Sequence, residues 1–169
     1  LEKYLAASHE VVRVVFHGED PANPDRRLFE AEAMQLRNNR GASMGGGVAN
    51  LYGNATIEQA ITVPRDGVYQ LRIRAGARQA GDEPAKMLLR LDGERIEVFD
   101  VSNTRSKDFS VEQLLAGGRH NVSLSFINDF YDPKHPDPKR RDRNLRIHTL
   151  EVVGPTDVRL VPPEQRWLQ

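Results

Sequence analysis

From Val68 to Ala77 the chain reads VYQLRIRAGA, and no other stretch restricts the fold so tightly. Tyr69, Leu71, Ile73 and Ala75 fall on one face, with Arg72 and Arg74 on the other. Period-two alternation sets one face against a core and the other in water, the pattern of a half-buried strand; wound into a helix, the same residues would scatter their apolar side chains around the axis. The pattern returns at Val122, Leu124 and Phe126. KMLLRLDGERIEVFDV, residues 86–101, predicts a hairpin turning at Asp92-Gly93, a dipeptide suited to the left-handed backbone of two-residue turns. LFEAEAMQL (28–36) is a short apolar segment, and ATIEQAITV (55–63) ends at Pro64, where PRDG makes a turn. The last strand changes phase: Leu145 and Ile147 share one face, Leu150 and Val152 the other, which requires a bulge near His148. Roughly eight short strands joined by turn residues predict an all-β antiparallel sandwich or jelly roll.

The ends read differently. Leu1, Tyr4, Leu5, Val11, Val12 and Val15 have nearly helical spacing, and a breaker-rich segment, GEDPANPDRR, follows at 18–27. The expected organisation is therefore a short N-terminal helix and linker from a preceding domain (1–27), a sandwich (28–155) and a C-terminal linker (156–169). A chain opening in mid-helix is expected to be a piece of something longer, with any export signal upstream. GASMGGGVANLYGN (41–54) is expected to be irregular.

Composition narrows the function. At 169 residues the chain can bury about 70% of the surface its unfolded form exposes. Lys+Arg and Asp+Glu both number 24, so no global field draws it to nucleic acid or an anionic membrane. No apolar run approaches the ~20 residues of a membrane span. With zero cysteines, disulfides, thiolate catalysis and zinc-thiolate sites are excluded, but the compartment is left open.

The segment NDFYDPKHPDPKRRDRN, residues 128–144, interrupts the strand pattern. Long loops inside compact domains are uncommon and usually functional. Asn128, Asp129, Asp132, Asp137, Asp142 and Asn144 are oxygen donors of the kind calcium takes, and His135 is the loop's one nitrogen donor. Such a set suits a hard cation rather than zinc. Turn-forming Asp, Asn and Pro beside a solvated basic run would account for the composition equally well. Phe130, Tyr131 and Tyr52 lie on loops and could stack on a ligand, whereas Tyr69, Phe99 and Phe126 belong to strand patterns and read as core. Trp167 lies beyond the sandwich and reads as an interdomain contact.

FEAE (29–32), DGVYQLRIRAGA (66–77), LLAGGRHNVSLSFIND (114–129) and DRNLRIHTLEVVGP (142–155) together resemble the calcium-dependent, xylan-binding carbohydrate-binding modules of families 36 and 60. The nearest likeness is to the version embedded in large bacterial proteins that also carry cytochrome-c-type domains. The resemblance spans about residues 28–155, and the ND…DRNL pair is its most specific part. It implies a galactose-binding-like sandwich with a non-catalytic role: Ca2+ in the loop before the last strand, with vicinal hydroxyls of a polysaccharide completing its shell. The implied ligands are Asp129 and Asp142, joined by Asn128, Asp132 and Asn144. Glu30 and Glu32 match a second, structural calcium site of related modules, but His148 stands where that site would have an aspartate, and a strand-face salt bridge explains the two glutamates as well. The resemblance also implies an extracytoplasmic setting within a larger chain.

Other readings carry less. Paired glycosidase carboxylates, or His120, His135 or His148 as a base, would require a poised constellation, and no nucleophile elbow, histidine-metal spacing or serine triad is present. GASMGGG lacks the P-loop lysine, and KRRDR is too short and too diluted by aspartate to argue for nucleic acid. The main alternative is a structural module that packs against its parent's other domains without binding sugar.

Overall fold

The computed structural model describes residues 24–37 and 41–157. The helix expected near the N-terminus and nearly all of the expected C-terminal linker lie outside these residues, as does Trp167. Two antiparallel sheets face one another. The 28–36 segment crosses between them: β1 (Arg26–Glu30) lies in one sheet, a 3-10 turn at Ala31–Ala33 follows, and β2 (Gln35–Leu36) joins the other.

β3 (Ala42–Gly45) and β4 (Val48–Leu51) form a hairpin where irregular chain was expected. Its turn is made by Gly46 and Gly47, whose φ angles of 63° and 77° favour glycine. The glycines that suggested irregularity are thus the turn itself. β5 (Thr56–Val63) covers the ATIEQAITV segment that ends at Pro64, and β6 (Gly67–Arg78) the alternating segment that predicted a strand. β7 (Ala85–Leu91) and β8 (Glu94–Val101) are the expected hairpin, with Asp92 at φ 51° and Gly93 at φ 89°. β9 (Lys107–Leu115) was absent from the sequence reading. Its apolar face, Phe109, Val111 and Leu115, is interrupted by Gln113, and Leu114 on the opposite face is 65% exposed. β10 (Gly118–Phe126), β11 (Phe130–Tyr131) and β12 (Asp142–Val153) complete the fold.

One sheet runs β3-β4-β12-β6-β9 and the other β2-β5-β10-β7-β8. β12 organises the first. Along one edge it pairs with β6; along the other it takes β11, then β4, then β1 in succession. The register shifts between Ile147 and Thr149, where the bulge was expected. That extra residue resets the parity, so Leu145, Ile147, Leu150 and Val152 are all buried although they alternate out of step. Between the sheets the largest fully buried side chains are Tyr69 and Phe126, packed with Leu51, Leu71, Met87 and Leu124. Tyr69 keeps its hydroxyl satisfied by donating to the Arg65 carbonyl at 3.0 Å.

Candidate functional site

The loop between β10 and β12 is folded rather than loose. β11 pairs Phe130 with Arg143 and Tyr131 with Asp142. Beyond it, Asp132 N–H donates to the Arg141 carbonyl at 2.7 Å, and Lys134 N–H donates to Asp132 Oδ1 at 3.0 Å. Asp137 accepts from Lys139 N–H at 2.8 Å, capping the 3-10 turn Pro138–Arg140. Arg78, paired with Asn144 in the β6–β12 ladder, reaches over to donate to the Pro138 and Lys139 carbonyls at 2.7 and 3.1 Å. Arg141 donates to the His135 carbonyl at 2.8 Å. Backbone carbonyls that an isolated loop would leave to water are thus held by Arg78 of β6 and by the loop's own Arg141.

The central anchor is Arg143, 4% exposed and unnoticed in the sequence. Its Nε and Nη2 donate to the Ala80 carbonyl, its Nη1 donates to the Asn128 carbonyl at 2.8 Å, and its guanidinium lies 5.3 Å from the Phe130 ring centroid. Only a forked cation can join three chain segments in this way. Its parity with Leu145 and Ile147 in DRNLRI was the available signal, since an inward-pointing arginine next to core residues must carry out such a task.

If Arg143 points inward, Asp142 and Asn144 share the opposite face. Asn144 Nδ2 donates to Asp142 Oδ2 at 3.0 Å, leaving Asn144 Oδ1 buried and without a partner among the described residues. Asp129 begins the return of the loop toward β12, its N–H donating to Asn54 Oδ1 at 2.9 Å. Burial pushes the Asp129 carboxyl above its ordinary value, and the Asp142 charge adds to this; a bond from Phe130 N–H and the Arg143 charge offset it only in part. A carboxyl raised by burial and by a neighbouring carboxylate, beside an amide oxygen with no donor, makes a site short of a positive charge. Among the described residues no three His, Cys, Asp or Glu side chains gather as a metal site. The donor set here is two carboxylates and an amide oxygen, which suits calcium with water or hydroxyls in the remaining positions.

The other expected ligands are placed differently. Asn128 turns toward β7: its Oδ1 accepts from Lys86 N–H at 2.7 Å and its Nδ2 donates to the Pro84 carbonyl at 2.9 Å. It anchors the loop's first residue. Asp132 is occupied by the turn it makes with Lys134. Of the aromatics, Tyr131 is 66% exposed and free to meet a ligand, while Phe130 is tied to Arg143 and packs beside Gly81. Tyr52, with its hydroxyl 3.3 Å from the Ala42 carbonyl, sits on the turn after β4. Leu51 pairs with Leu145, so this turn lies at the same end of the sheet as Asn144. The turn is held by Tyr52 and Gly53 N–H groups on the Gly41 carbonyl, and a side chain on Gly41 would meet Gly53 Cα at 2.6 Å.

Glu30 and Glu32 lie at the step from β1 into the 3-10 turn. Glu32 accepts from Gly47 N–H at 2.7 Å, fastening the β3–β4 turn, and Glu30 ends β1 opposite Thr149. His148 beside it is held below its ordinary pKa by burial, then by the Arg146 and Arg74 charges.

The family model of Ca-dependent, xylan-binding carbohydrate-binding modules (CBM60) matches residues 70–160. A search of curated proteins finds no match. Among solved structures, the chain is similar to a CBM36-1 domain of a multidomain xylanase from the hindgut metagenome of Trinervitermes trinervoides (TM-score 0.58, 16% identity, 77% of this chain and 98% of that one). It is also similar to a CBM36 module in complex with calcium and xylotriose (TM-score 0.57, 17% identity, 75% and 98%). A third similarity is to a family 35 module from Clostridium thermocellum (TM-score 0.55, 17% identity, 76% and 97%). At such identities the structural likeness speaks for the sandwich alone; the family match covers more than half of the sequence and includes β11, β12 and the loop they close. The chain therefore belongs to the calcium-dependent, xylan-binding carbohydrate-binding modules of family CBM60, and is a non-catalytic binding module.

Proposed function

We propose that the calcium ion is held by the Asp129 and Asp142 carboxylates and by Asn144 Oδ1, and that vicinal hydroxyls of the polysaccharide complete its shell. The observation that carries this is the buried, partnerless Asn144 Oδ1 beside Asp142. An orphaned acceptor costs about 1–3 kcal/mol if nothing donates to it, and a cation removes that cost. Tyr131 is the aromatic best placed to lie against a sugar ring, with Tyr52 at the rim. Xylan is the first choice of glycan, and any polymer offering adjacent hydroxyls at the rim is a competitor. Asn128 and Asp132 support the loop, and the Glu30–Glu32 segment holds the β3–β4 hairpin rather than an ion.

The wider setting is also a proposal. Among the described residues no helix is long and apolar enough to cross a membrane. One similar solved structure is a domain of a multidomain xylanase, and this chain is read likewise as one part of a larger extracytoplasmic protein, of the kind that carries cytochrome-c-type domains.

Affinity electrophoresis through gels containing xylan, galactan or mannan, with calcium or with chelator, tests the reading. Retardation by xylan is expected with calcium only, and Asp142→Ala should migrate as if no polysaccharide were present. Equal retardation of Asp142→Ala, or retardation that survives chelation, would show that the site lies elsewhere.

A further inference from the structure

On the sheet opposite β12 lies a polar cleft of ≈ 470 Å³, lined by residues of β5 and β10 together with Gln35, Arg37 and Asp92. It exists because β2 is so short. Gln35 and Leu36 pair with Glu58 and Ile57, and beyond Glu58 that edge of β5 has no β2 partner, with the small side chain of Ala60 on the exposed floor. The cleft is remote from the calcium loop: Arg119 stands near the start of β10, about 24 Å of extended strand from Phe126, where that loop begins.

The cleft's charges nearly cancel, but not completely. Arg37 is ion-paired with Glu58, which also accepts from Asn121 Nδ2 at 3.0 Å. His120 presents Nδ1 to Asp92 Oδ2 at 2.7 Å and Nε2 to the Ala116 carbonyl at 2.8 Å. With an acceptor at each ring nitrogen, the imidazolium form satisfies both, and it is balanced by Asp92. This leaves Arg119, exposed on the cleft wall with no partner among the described residues. The side-chain amide of Gln35 is likewise uncommitted there. A cavity with one spare guanidinium, an amide able both to donate and to accept, and no Phe, Tyr or Trp side chain suits a ligand with one carboxylate and several hydroxyls.

We propose that this cleft is a second, calcium-independent subsite for an acidic sugar, a uronate unit carried on an otherwise neutral polysaccharide. The Arg119 guanidinium pairs with the sugar carboxylate, and Gln35 hydrogen-bonds its ring hydroxyls. The two sites lie on different sheets, so a single decorated chain or two neighbouring chains could engage both.

Amide NMR titration in chelator tests this with the calcium site switched off. A xylo-oligosaccharide bearing glucuronate should bind the parent and shift signals around Arg119 and Gln35, while the undecorated oligosaccharide should not. Arg119→Gln, an exposed change that leaves the fold alone, should weaken binding of the acidic sugar about tenfold, as loss of one charge-assisted contact requires. Asp142→Ala should bind it as the parent does, which separates failure at the calcium loop from failure here. No binding by the parent, equal binding by Arg119→Gln, or equal binding of the neutral oligosaccharide would overturn the proposal.

Discussion

At the scale of single residues, Asn144 and Arg143 divide the work at the loop. Asn144 Oδ1 is buried without a partner, so removing it should cost the metal and not the fold. Asn144→Ala is expected to lower calcium affinity by about tenfold or more, equivalent to ~1.4 kcal/mol, while leaving the calcium-free melting temperature unchanged or slightly raised; calorimetry and thermal melts read the two. Arg143→Ala should do the reverse, destabilising the apo protein by about 2–4 kcal/mol because the Ala80 and Asn128 carbonyls lose their donors. Arg143→Lys should rescue little of this in urea titration, since an ammonium cannot fork. Asp129 supplies a pH signature. Burial and the nearby Asp142 charge raise its carboxyl above 3.8, so the folded state holds this proton more tightly than the unfolded state. Calcium-free stability at this group is therefore greatest below its ordinary value and falls as pH rises through the raised one. Calcium needs the ionised form, so the calcium-induced rise in Tm should be absent in acid and develop as pH passes that raised value. A calcium shift equally large below the ordinary aspartate range would mean that Asp129 is not a ligand. The sequence showed the acids here but not their supports. Asp and Asn look alike in a turn and in a metal site; only the partners of Asn128 and Asp132 reveal that these two hold the loop while Asn144 is left with an empty acceptor.

Among the elements, β12 carries the most, and it was also the most legible. Its change of phase announced the bulge, because a strand buried on one face cannot switch parity without an inserted residue. Inserting one alanine after His148 would add a residue to the bulge, put Leu150 and Val152 on the wrong face, and is expected to abolish folding. His148→Ala keeps the count and should stay within about 1 kcal/mol of the parent; circular dichroism and denaturant titration distinguish these outcomes. Strands with clean alternation, β6 and β10, and the Asp-Gly hairpin were readable for the same reason: each encodes its own face or turn. β3 and β4 were not, because the glycines of their turn dominate the local composition and their apolar contacts, such as Leu51 with Leu145, are supplied by a distant strand. β9 was missed because Gln113 breaks its apolar face and Leu114 adds an apolar residue to the exposed one.

At the scale of the molecule, two sheets share one core, and the loop is held at the end where β4, β6, β11 and the start of β12 meet. Core damage and site damage should therefore be separable. Phe126→Ala, at 1% exposure, is expected to cost about 3–5 kcal/mol and to lose binding only through unfolding, whereas Asp142→Ala should lose binding with the fold intact. Calcium should raise the Tm of the parent by mass action on the folded state. The family's residues pointed to the β10–β12 loop for the ion; the polar cleft on the other sheet left no mark in the sequence, because its cations and carboxylates come together only when β2 stops short of covering β5. The most direct test of calcium-mediated sugar binding is isothermal titration of xylo-oligosaccharide into the calcium-loaded parent, the chelated parent and calcium-treated Asp142→Ala. Binding is expected in the first and heat of dilution alone in the other two; sugar binding of equal strength in Asp142→Ala, or in the presence of chelator, would contradict it.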